Sequence, residues 1–147
     1  MTEKFPPVTE LLPHAGKAVL IDAVLSDSAD AIRVAAHVSA AHPFFVAGEG
    51  VPVWVGIEMM AQAIAAHAGL QARREQRPPN AGMLLGTRKF EAEVPYFREG
   101  ATLEVRAERE FGDTGGIAAC ACAILCDGQT LARASIIIVE VDGEKLP

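Results

Sequence analysis

Apolar positions along this chain change their period twice. Residues 17–25 form a short aliphatic run bounded by Gly16 and by a polar cluster at 26–30, which predicts a strand and then a turn. From Ala31 to Val38, the apolar Ile32, Val34, Ala36 and Val38 alternate with Ala31, Arg33, Ala35 and His37. Period two marks a strand with one buried face, so the two runs make a hairpin. A loop over residues 39–52, rich in proline, phenylalanine and glycine, leads into residues 51–70, which are apolar on nearly every side. They read as a buried helix entered through Pro52. A polar, proline-stopped stretch follows at 71–80. Four more strands are expected at 82–94, 101–111, 117–126 and 130–141, with Asp127-Gly128 as a two-residue hairpin signal. This order gives one α+β domain over residues 1–147, a curved antiparallel sheet around one long central helix. One helix cannot cover both faces of such a sheet, so a homodimer or a dimer with a related chain is expected.

Composition narrows the classes. Half of the 147 residues are hydrophobic and 22% are charged, which suits a globular domain with a real core. A net charge of −6 argues against a nucleic-acid surface, because phosphate binding relies on a basic face. No N-terminal basic and apolar leader is present, and the cytoplasm is the expected location. The central helix, interrupted by Glu58, Gln62 and His67, reads as too short to insert in a membrane. Cys120, Cys122 and Cys126 share parity on one strand and are expected to face the core. They lack the spacing and the clustered histidines of a metal site, so no metal is expected.

The polar side chains of the apolar helix are the ones that need a reason. An ionised carboxylate buried without a partner costs several kcal/mol, so Glu58 is either paired, protonated or beside a cavity. Gln62 lies one turn on and shares its face. His67 is placed on the opposite face by the helical repeat of ~100° per residue. A structural carboxylate capping a neighbouring element is the bland alternative; a functional one is favoured.

Several stretches resemble the 3-hydroxyacyl-acyl-carrier-protein dehydratases. Leu11-Leu-Pro-His-Ala-Gly-Lys-Ala-Val-Leu-Ile-Asp22 is similar to the family's "LLPHR…LLVD" opening. Pro43-Phe-Phe45 followed by Pro52-Val53, Gly56 and Glu58-Met-Met-Ala-Gln62 resembles its "PFF…P-[IV]-M-P-G…E-A-M-A-Q" core. Gly86-Thr-Arg-Lys-Phe90 with Val94-Pro95 and Gly100-Ala-Thr-Leu103 resembles its paired strands. The wording of residues 51–62 and 84–88 is most similar to dehydratases of aryl polyene pathways.

The resemblance implies a hot-dog fold and removal of water from a (3R)-3-hydroxyacyl thioester, giving a trans-2-enoyl thioester in fatty-acid or polyene-type biosynthesis. It implies no cofactor of its own, the substrate riding on the phosphopantetheine of acyl carrier protein or of CoA. Such chemistry needs a base for the α-proton and an acid for the departing hydroxyl. Glu58 is expected as the acid, Gln62 as its supporting partner, and the amides of Gly56 and Ile57 as donors to the thioester carbonyl, glycine admitting a close approach. Arg88, on the arginine-phenylalanine strand, is the expected carrier-protein contact within the basic set Arg73, Arg74, Arg77, Arg88, Lys89 and Arg98. The family histidine, in "G-H-F-P-G", has no counterpart, since Gly48 stands at that offset. His42 and His14 are the two candidates to replace it. An acyl thioesterase using Glu58 alone, or a non-catalytic subunit binding acyl chains or a partner dehydratase, is the alternative reading.

Overall fold

The computed structural model describes residues 5–78, 81–112 and 116–141. In chain order it contains α1 (Val8–Leu11), β1 (Ala23–Asp27), β2 (Ala31–His37), β3 (Val51–Pro52), α2 (Gly56–Arg74), β4 (Ala81–Ala92), β5 (Tyr96–Phe97), β6 (Thr102–Gly112), β7 (Ile117–Cys126) and β8 (Gln129–Val141). Six strands form one sheet in the order β1-β2-β6-β7-β8-β4, every neighbour antiparallel. The sheet curls around α2, which is the hot-dog architecture.

Period-two patterning sets which face meets the helix. Ile32, Val34 and Ala36 of β2, Leu103 and Val105 of β6, Cys120, Cys122 and Ile124 of β7, and Ala134 and Ile136 of β8 form one buried cluster with Met59, Met60, Ala63, Ala66 and Leu70 of α2. Each large aliphatic side chain removed from water in this way contributes about 1.5–3 kcal/mol. Residues 53–74 are long and apolar enough to cross a bilayer by length and composition, contrary to the expectation from sequence. Their packing inside the sheet accounts for that hydrophobicity instead. Met59 and Met60 belong to this core, and Cys126 is half-buried against its edge.

Several boundaries differ from the expected ones, each for a local reason. The central helix begins at Gly56 and not at residue 51, because Val51–Pro52 pair with β5 and Val53–Val55 form a 3-10 turn. The first strand begins only at Ala23, because residues 16–18 form a 3-10 turn and the Leu20 N–H donates to the side chain of Gln62 at 2.8 Å. Asp22 then joins the ladder partly through its side chain, Oδ2 accepting the His37 N–H at 2.5 Å. The central helix runs on to Arg74, since cationic residues suit a helix C-terminus and Arg74 has a partner there. The two-residue strand β5 pairs with β3 and was too short to show a period.

That partner is Asp27, whose side chain is 0% exposed. Arg74 Nη1 lies 2.6 Å from its Oδ2 and His67 Nδ1 lies 2.6 Å from its Oδ1. His67 Nε2 is 3.2 Å from the Ala29 carbonyl, and Gln71 donates to the Ser28 carbonyl at 3.3 Å. The outer face of α2 thereby straps the β1–β2 turn. Asp27→Ala is expected to cost roughly 2–3 kcal/mol, less than loss of a fully buried pair because Arg74 is partly exposed. A urea midpoint unchanged by the substitution would contradict this account of the strap.

Candidate active site

The first turn of α2 faces a cleft of about 500 Å³ whose walls include His14, Leu20, Phe44, Trp54, Ile57 and Glu58. His14 arrives from the segment before the 3-10 turn, Phe44 from the loop between β2 and β3, and Trp54 from the 3-10 turn at Val53–Val55 that opens α2. His14 Nε2 stands 3.2 Å from Glu58 Oε1, with the two side chains 29% and 46% exposed. An imidazole and a carboxyl at that separation can hold a proton between them. Both side chains are partly exposed at the cleft wall, so water in reach screens the contact.

Gln62 ties the pair to the scaffold. Its side chain is 0% exposed. Oε1 accepts the Leu20 N–H, so Nε2 is left to donate, and it does so to the Ala18 carbonyl at 2.7 Å and to Glu58 Oε1 at 3.2 Å. The i,i+4 relation expected between Glu58 and Gln62 is thus a direct hydrogen bond. Every hydrogen-bonding group of this amide that the fold could have stranded is used, as burial requires.

The two histidine candidates separate. His14 is beside Glu58. His42 is placed in the loop behind Phe44, its Nδ1 accepting the Phe44 N–H at 3.1 Å and its ring 6.0 Å from that of Phe44; it is not among the cleft-lining residues. Burial pushes the His42 imidazole below its ordinary range, against an opposing pull from Asp22. His67, on the far side of α2, is taken up by Asp27.

Gly56 has a different reason from the one read in the sequence. A Cβ there would come within 2.7 Å of Ile124 Cδ1 and 3.3 Å of Phe97 Cζ, so the missing side chain serves packing of the helix on β5 and β7. Its N–H is already directed at the Val53 and Trp54 carbonyls. Ile57 does line the cleft. Arg88 is exposed on the edge strand β4 and does not line the cleft. Arg73 and Arg77 pair with Glu10 and Glu75, which reduces the free positive charge of the basic set.

The aromatic lip was not legible as part of the site. Phe44 and Trp54 meet edge to face with centroids 5.7 Å apart; Trp54, the chain's one tryptophan, is 58% exposed. Its position at the helix entrance was the available signal. Two other hollows, about 200 Å³ beside His67 and about 600 Å³ on the outer face of the sheet, contain neither His14 nor Glu58. Among the described residues no group of three His, Cys, Asp or Glu side chains is placed to hold a metal.

The family model described as ApeP-like, ApeP dehydratase, matches residues 6–146. Among solved structures, a chain of the dehydratase heterocomplex ApeI:P from Xenorhabdus doucetiae is similar at 28% identity and a TM-score of 0.88, over 97% of this chain and 95% of that one. The E. coli PaaI protein from the phenylacetic acid degradation operon aligns at 14% identity and a TM-score of 0.63, over 80% and 81% of the two chains. A hypothetical thioesterase from Streptococcus pneumoniae, solved with coenzyme A, aligns at 8% identity and a TM-score of 0.65, over 81% and 84%. The last two share the fold. A search of curated proteins found no match.

The environment of His42 makes a pH prediction. A ring that binds its proton more weakly folded than unfolded lowers stability as pH falls below about 6.5. NMR titration is expected to find His42 protonating below that value, and His42→Gln to flatten the acid side of the stability curve. A His42 ring titrating at or above the ordinary value would contradict the burial argument.

Proposed function

The chain belongs to the ApeP-like dehydratase family, hot-dog enzymes that dehydrate acyl thioesters, and from that premise we propose that His14 and Glu58 together remove water from a (3R)-3-hydroxyacyl thioester. The observation that carries this reading is the 3.2 Å contact of His14 with Glu58 inside the cleft. In the reactive form the proton of the pair sits on the carboxyl and the imidazole is neutral. His14 takes the C2 proton, the C3–O bond breaks as Glu58 protonates the departing hydroxyl, and the trans-2-enoyl thioester and water leave. The pair is then imidazolium and carboxylate. Transfer of that proton across the same contact restores the reactive form, so the cycle needs no proton from outside.

The Ile57 amide, in the first turn of α2, is the proposed donor to the thioester carbonyl, where charge develops as the C2 proton departs. Phe44 and Trp54 offer flat apolar faces to the acyl chain, which suits the conjugated chain of polyene-type biosynthesis as well as a fatty acyl chain. The acyl group is delivered on the phosphopantetheine of acyl carrier protein or CoA, with Arg88 as the proposed contact for an acidic carrier. The heterocomplex found for the Xenorhabdus protein supports a related hot-dog subunit as partner.

Purified full-length protein, alone and with a related hot-dog subunit, is expected to convert a (3R)-3-hydroxyacyl carrier-protein substrate to the enoyl thioester, followed by mass spectrometry. Glu58→Ala and His14→Ala should each lower the rate by about 10²–10⁴-fold, the usual worth of a placed acid or base. His42→Ala should leave it close to wild type. Release of free thiol without enoyl product would instead establish a thioesterase, and neither product in any combination would establish a binding subunit.

A further inference from the structure

His14 is a catalytic candidate whose ring is held through one nitrogen. Its Nε2 faces Glu58, and its buried Nδ1 has no hydrogen-bond partner among the described residues. Its position is therefore set by the path of the backbone that carries it. That path is pinned to α2 on both sides of the residue. Upstream, Leu11 lies on Gly69, where a Cβ would come within 2.7 Å of the Leu11 carbonyl oxygen; only glycine lets the backbone approach so closely. Downstream, the Ala18 carbonyl and the Leu20 N–H are both bonded by the side chain of Gln62. The same side chain donates to Glu58.

We infer that Gln62 is the positioning residue for both members of the pair: it holds Glu58 directly and registers His14 against it by clamping residues 18–20. This rests on the proposed roles of His14 and Glu58. The orientation of the amide follows from its neighbours. The Leu20 N–H can only be met by Oε1, which directs both N–H groups of Nε2 to acceptors, the Ala18 carbonyl and Glu58. Glu58 Oε1 is the oxygen that meets both Gln62 and His14. One fully buried glutamine thereby sets the separation on which the proton exchange depends. A simple partner of Glu58 would act on Glu58 alone.

The test compares wild type, Gln62→Leu and Gln62→Glu, each also in a His14→Ala background. Gln62→Glu keeps an acceptor for the Leu20 N–H but loses the donors. Misplacement of the pair is expected to lower kcat by about 10²-fold with little change in KM. In the His14→Ala background the loss should shrink severalfold, because one of the two groups being registered is gone. Folded variants with wild-type kcat, or an undiminished loss in that background, would overturn the proposal. Amide hydrogen exchange of the wild type reads the clamp without any variant: Leu20 N–H should exchange as slowly as amides of the α2 core, and fast exchange would overturn it. A wild type that dehydrates nothing fails the functional reading instead, while the exchange measurement still reports on the clamp.

Discussion

A single side-chain amide inside an apolar helix is the constraint around which this structure closes. Gln62 has no exposure, and an amide placed there without partners would cost several kcal/mol. The fold meets that cost by bringing the N-terminal segment across the helix, so that Ala18 and Leu20 supply an acceptor and a donor. This interrupts what would otherwise be a longer first strand. It also leaves His14 over the first turn of α2, next to Glu58. Burial of one polar group thus shapes the local path of the chain and the geometry of the cleft together.

Much of the fold was legible because its elements are strongly periodic. The alternation in β2, the aliphatic run of α2 and the Asp127-Gly128 turn each specify an element by local chemistry alone. Where the reading missed, a side chain had taken over a backbone role. Leu20 looked like strand because it is aliphatic, but its N–H is spent on Gln62; Asp22 pairs with His37 through a carboxylate. Arg73 and Arg74 looked like a polar exit from the helix, whereas Arg74 continues it to reach the buried Asp27. No pattern along the sequence reveals a partner 47 residues away.

For the candidate site, spacing gave the face and could not give the neighbours. Glu58 and Gln62 one turn apart were readable as a pair, and they are bonded. The choice between His14 and His42 was not readable: sequence distance to Glu58 favours His42, and only the crossing of residues 11–20 over α2 brings His14 beside it. Gly56 was read as room for substrate, yet its space is filled by Ile124 and Phe97. A glycine in sequence announces that something comes close, without saying what. Phe44 passed as an ordinary loop aromatic and Trp54 as part of the apolar helix until their edge-to-face contact placed them at the mouth of the cleft.

The central claim is that His14 and Glu58 act as one unit on one substrate, and a double-mutant cycle on dehydration tests it most directly. Rates of wild type, His14→Ala, Glu58→Gln and the double variant would be measured under single-turnover conditions on the same carrier-bound substrate. Residues that share a proton lose their function together, so the double variant should be about as slow as the slower single variant. Losses that multiply, with the double variant slower by the product of the two, would show two residues acting independently and would contradict the account.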